Sequence, residues 1–141
     1  MDTAAAIAFL TLLVVALAGA SILTWAYVGA GSLSILFWEV IPAPASLLGE
    51  ALTHFQQGIS AYRVQRYRQA IEEFNQARQV MPTLIEATHN IGLAFANLRQ
   101  DDRATEQLLK AADGYLERGD RSSVGLVRLH LSALRNRKGA P

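Results

Sequence analysis

Residues 58–77 read GISAYRVQRYRQAIEEFNQA, and thirty-four positions later residues 92–111 read GLAFANLRQDDRATEQLLKA. Laid on one another, Gly58 meets Gly92, Ala70 meets Ala104, Phe74 meets Leu108 and Ala77 meets Ala111. Recurrence of small and large residues at one fixed period marks a repeat architecture, in which each unit buries its apolar face against the next. Glycine and alanine at recurring places allow two helices to cross closely. The expected class is all-α.

Working outward, the apolar positions Leu48, Leu52, Phe55, Ile59 and Tyr62 fall on one helical stripe, which predicts a first helix from Leu47 with Ser46 as its N-cap. A second helix runs from about Arg68 to Val80 and stops at Pro82, because proline has no N–H to donate and its ring clashes inside a helix. Thr83 and Glu86 have the spacing of a capping box for a third helix carrying Ile91, Phe95 and Leu98. Asp101 opens a fourth with negative charge at the positive end of the helix dipole. Leu116 stands where the counterpart of Pro82 would be, so this helix is expected to run on to a left-handed stop at Gly119. A third copy of the repeat would put Leu126 on the glycine position, so residues 122–136 read instead as a lone capping helix. Ser122 or Ser123 is expected to cap it, Val124, Val127, Leu131 and Leu134 form its inner face, and residues 137–141 make a basic tail.

Gly58, Tyr67, Ala70, Phe74, Ala77 and Pro82, followed by Asn90, Ile91, Gly92, Phe95, Ala104, Leu108 and Ala111, resemble two successive tetratricopeptide repeats. The second departs from the pattern at Asp101, where the aromatic of the turn should stand. The resemblance covers the C-terminal two-thirds and implies two antiparallel helix pairs, at about 51–84 and 85–118, within a domain of residues 47–136. It further implies a partner-binding groove lined by the first helix of each pair. Phe55, Ile59, His89 and Asn90 are the groove residues it points to. Some members of that family hold a C-terminal carboxylate with Lys, Arg and Asn. Only Asn90 occupies a comparable position here, so an apolar protein surface is the expected ligand.

The N-terminal third is of another kind. Residues 4–28, AAAIAFLTLLVVALAGASILTWAYV, carry no charge, and at about 1.5 Å per residue they suffice to cross a hydrocarbon core about 30 Å thick. Residues 1–32 are therefore expected to form a transmembrane anchor, with Trp25 and Tyr27 at its headgroup end. A cleaved signal peptide is the competing reading, since Ala18-Gly19-Ala20 mimics a cleavage site, but no Lys or Arg precedes the run and the run continues past that site. Residues 33–46 read as an interfacial stretch and a proline-containing linker, Phe37 and Trp38 lying at the membrane surface or packing under the first repeat. All thirteen Lys and Arg fall at or after Arg63, which predicts a single span with the repeats on the cytoplasmic or stromal side.

Composition removes several classes of function. Without cysteine there is no thiolate metal site or disulfide framework. Residues 42–141 hold thirteen basic and ten acidic side chains, an excess of three that gives no reason to expect nucleic acid. Glu86 and His89 have the spacing of two metal ligands on one helix face, but a carboxylate-bridged site needs a second such pair. No cofactor, small-molecule substrate or enzymatic activity is expected. Arg63, Arg66 and Arg68 around Tyr62 and Tyr67 form the densest basic cluster, read as a solvated turn or as a contact surface. The layout of membrane anchor plus tetratricopeptide domain resembles the thylakoid-anchored assembly factors that help to build photosystem I in cyanobacteria and plastids. That resemblance implies a scaffold for a membrane complex; the alternative is a receptor or adaptor that recruits a soluble peptide.

Overall fold

A computed structural model describes residues 35–139. The anchor expected over residues 1–32 lies outside the described residues. Among the described residues no helix is long and apolar enough to cross a membrane, and all regular structure is helical. Five helices follow one another among the described residues: α1 (Gly49–Arg63), α2 (Tyr67–Val80), α3 (Ile85–Asn97), α4 (Asp101–Glu117) and α5 (Arg121–Gly139). Each packs on the next, so α1–α2 and α3–α4 are antiparallel hairpins stacked through α2 and α3, and α5 closes the α4 side.

The thirty-four-residue period is visible in the packing. A Cβ on Gly58 would come within 2.7 Å of the Phe74 ring, and one on Gly92 within 2.9 Å of Leu108 Cγ, so each hairpin seats the large residue of its second helix in a notch cut into its first. Ala70, Ala77, Ala104 and Ala111 are all fully buried beside these notches. Replacing Ala70 or Ala104 with leucine should overpack a helix crossing and cost about 1–3 kcal/mol. Thermal melts of the full chain test this, and unchanged melting in both variants would mean that these alanines do not set the helix spacing.

The period extends to the turns. Gln65 and Arg99, thirty-four apart, both take left-handed φ values, 62° and 61°, and Gly119 follows at 75°. At each turn the next residue's N–H reaches back five residues: Arg66 to Ala61 O, Gln100 to Phe95 O and Asp120 to Tyr115 O. Three helices thus end in one motif that satisfies their last carbonyls, at two places without the glycine that makes it easiest.

Several capping expectations are corrected. Helix α1 starts at Gly49 after Leu48 rather than at Leu47 after Ser46, and Leu48 is exposed instead of joining the buried stripe. The Thr83–Glu86 capping box does not form. Leu84 precedes α3 without a side-chain cap, and Glu86 Oε1 instead accepts a 2.6 Å hydrogen bond from Arg118. At α5 the cap is Asp120, whose carboxylate accepts from Ser123 N and from both the Ser122 and Ser123 hydroxyls. These bonds lower the Asp120 pKa to about 2, the Ser123 hydroxyl contributing most. Asp101, standing in place of the turn aromatic, pairs with Arg137, and Asp102 pairs with Lys138 at 2.6 Å. Those two ion pairs draw the expected basic tail into helix, so α5 continues past residue 136 to Gly139.

Candidate peptide-docking groove

Helix α3 is buried on nearly every side, eleven of its thirteen residues being buried, and among the described helices α2, α4 and α5 pack on it. The remaining face is covered by residues 35–47, which run in non-helical conformation along the groove of the helical stack. This strap enters the body through specific bonds. Asn90 Oδ1 accepts from Ile41 N at 2.7 Å while Asn90 Nδ2 donates to Ile41 O at 2.9 Å. Asn97 Oδ1 accepts from Leu36 N and Phe37 N, each at 3.0 Å, and Asn97 Nδ2 donates to Phe37 O at 2.8 Å and to the Tyr62 hydroxyl at 2.9 Å. The Tyr62 hydroxyl in turn donates to Phe37 O at 2.8 Å.

Every acceptor on the Asn97 carboxamide thus faces donors and every donor faces acceptors, which fixes its orientation. Asn90 and Asn97 are seven residues apart, two helical turns, so both amides project from one face of α3. Burial raises the Tyr62 pKa strongly, Tyr67 adding to it and the bond from Asn97 opposing it, so this hydroxyl remains a donor at any physiological pH.

Side chains of the strap differ in how far they enter the groove. Phe37 is buried with its ring edge-on to His130 at 4.6 Å, whereas Trp38 is 71% exposed. Ile41 packs partly into the body and Leu47 is buried at the far end. Next to the strap, His89 Nε2 lies 2.9 Å from His130 Nδ1, and His89 Nδ1 lies 3.3 Å from the Tyr115 hydroxyl. Burial, with a smaller contribution from His130, lowers the His89 pKa to about 3, and burial also lowers that of His130 against the pull of Glu39. Both rings are neutral at pH 7.

The groove residues expected from the sequence are therefore placed differently from one another. Phe55 is fully buried and meets Phe74 at 5.2 Å, so it belongs to the core of the first hairpin and not to an open surface. Ile59 is half-buried, His89 faces α4 and α5, and Asn90 alone contacts an extended segment. Phe37 sits in the groove itself, while Trp38 points outward. Glu86 and His89 do not converge, because Glu86 is held by Arg118 and His89 by His130 and Tyr115. Arg63, Arg66 and Arg68 are exposed around the α1–α2 turn.

Sequence reasoning missed Asn97 and the Tyr62 hydroxyl. The signal for Asn97 was its seven-residue spacing from Asn90. What the arrangement does chemically is narrow: it reads the amides and carbonyls of an extended chain. Neither a protein family nor a curated protein matches this chain.

Proposed function

We propose that this protein is a membrane-anchored tetratricopeptide-type scaffold that acts by protein–protein interaction during the assembly of a membrane complex, photosystem I at the thylakoid being the instance its layout points to. The observation that carries the reading is the groove of two stacked hairpins, whose carboxamides hold an extended polypeptide by its main chain. Two further features support it. The hairpins repeat at thirty-four residues down to their glycine notches, and the uncharged run over residues 4–28 has the length of a membrane span. Its anchor would hold the groove near membrane-embedded clients, with the repeats on the cytoplasmic or stromal side.

The second reading, an adaptor that recruits a soluble peptide, is favoured by the same bonds, since extended peptides are the ligands that main-chain hydrogen bonding selects. Affinity purification of the full chain in mild detergent separates the two. A stoichiometric membrane complex supports the scaffold, a soluble client supports the adaptor, and the absence of any stoichiometric protein overturns both. In the same experiment, Asn90→Asp should abolish co-purification, because a carboxylate cannot donate to the carbonyl that Asn90 Nδ2 serves. Charge reversal at Arg66 and Arg68 should matter less. The opposite pattern would place the contact on the α1–α2 turn.

A further inference from the structure

The groove side chains hydrogen-bond the strap through its backbone alone. All six hydrogen bonds between groove side chains and residues 36–41 go to strap main chain: to Leu36 N, to Phe37 N and O, and to Ile41 N and O. No strap side chain takes part in them. Sequence enters through apolar contacts: the Phe37 ring is buried, and Leu36, Val40 and, four residues after Phe37, Ile41 are partly buried against the body. Asn90, Asn97 and the Tyr62 hydroxyl put polar groups on the floor of the groove. Besides pairing the strap's main chain, a polar floor can exchange each strap bond for one to water when it stands open, so that opening leaves none of these side chains unpaired.

The strap also has a place at which to part from the body. Pro42 to Ser46 separate Ile41 from Leu47, and Leu47 is buried beside α1, so residues 36–41 can leave while the start of α1 stays anchored. The Trp38 side chain, 71% exposed, marks the strap's outer face.

We propose that residues 36–41 are a resident ligand of the groove, displaced by an extended segment of a partner protein that carries an aromatic residue and, four positions later, a branched aliphatic one. This rests on the reading of the protein as a peptide-binding scaffold and adds to it the chemistry of the ligand and a gate. A resident segment competes at the effective concentration set by its short tether, on the order of millimolar. The partner's apparent affinity is reduced by the fraction of grooves that are closed.

The probe is the synthetic peptide ILFWEVIPAP, the sequence of residues 35–44, labelled at its N-terminus and titrated by fluorescence anisotropy into the full chain in detergent micelles. The double variant Phe37→Ala, Ile41→Ala weakens the strap and leaves the floor intact. It should bind the peptide at least tenfold more tightly than the wild type, and adding Asn97→Leu should remove that gain. Equal affinity in wild type and double variant, at unchanged helicity, overturns the proposal.

Amide exchange on the unaltered chain gives a second reading that needs no variant. The Leu36, Phe37 and Ile41 amides should exchange at least tenfold faster than those of Ile91 and Leu93, and faster still with the peptide present. Equal protection that the peptide does not alter would make the strap a permanent part of the core and overturn the proposal. Recovery of a stoichiometric client with either negative result would leave the scaffold reading standing and move its contact off the groove.

Discussion

Replacing Asn97 with leucine should free residues 36–41 from the groove and lower the stability of the helical body by about 2–4 kcal/mol. The substitution nearly preserves volume but removes one acceptor shared by the Leu36 and Phe37 amides and one donor shared by Phe37 O and the Tyr62 hydroxyl. A buried polar group left without its partner costs about 1–3 kcal/mol. Several are orphaned at once, and the strap can escape part of the penalty by moving into water, which bounds the total. Asn97→Asp keeps the acceptor and loses the donor, so it should retain part of the stability and part of the amide protection at Leu36 and Phe37. Urea melts and amide exchange read both quantities. If the leucine variant melted like the wild type with those amides still protected, Asn97 would not be what holds the strap.

The helices themselves were legible because their signals are local. Gly58 and Gly92 announced two notches, and the spacing of Ala70, Phe74 and Ala77 announced the helix that fills the first of them. Leu116 allowed α4 to run on to Glu117, as a missing proline permits. The errors arose where a side chain had two possible partners. Glu86 could cap α3 or meet Arg118, and it accepts from Arg118, where both partners of the bond are ionised. Asp120 displaced Ser122 and Ser123 as the cap of α5, for a carboxylate can accept from all three of the groups that surround it. Asp101 looked like a defect in the second repeat until Arg137, thirty-six residues away, supplied its partner.

The site was harder to read than the fold. Periodicity tells which face of a helix is covered but not by what, and the strap is recognised through its main chain, which every sequence possesses. Nothing in the residues around Phe37 announces a partner sixty positions on at Asn97. The repeat resemblance points to Phe55 as a groove residue, yet its ring serves the Phe74 contact inside the first hairpin. Even so, a helix as fully buried as α3 should carry no carboxamides without partners for them. Asn90 and Asn97, on one face two turns apart, were the readable trace of the groove.

Acidification from pH 6.5 to pH 5 should destabilise the body by about 2 kcal/mol, through His89. The sign follows from its pKa, which burial lowers from 6.5 to about 3 in the folded chain. Between those values the unfolded chain binds a proton that the folded chain does not, so stability is full above pH 6.5 and falls as pH drops toward 3. One proton taken up only on unfolding changes stability by about 1.4 kcal/mol per pH unit. The groups that face the pair are the two rings themselves, His89 from α3 and His130 from α5, with Tyr115 from α4 and Glu39 from the strap. Of these His130 titrates in the same direction, its pKa also lowered by burial, so the slope can exceed one proton. Asp120 acts only at more acid pH, because a carboxylate whose pKa is lowered to about 2 withdraws its stabilisation below its ordinary value of 3.8. The window from 6.5 to 5 therefore belongs to the histidines. His89→Gln keeps a polar group beside the Tyr115 hydroxyl but cannot take up a proton. It should be less stable than the wild type at pH 7 and nearly as stable at pH 5, every other titrating group being common to both chains. Urea melts at pH 7, 6 and 5 measure the two slopes. Parallel slopes would mean that His89 is protonated as readily in the folded chain as in the unfolded one, and that the imidazole pair beside the strap is not what makes the fold sensitive to acid.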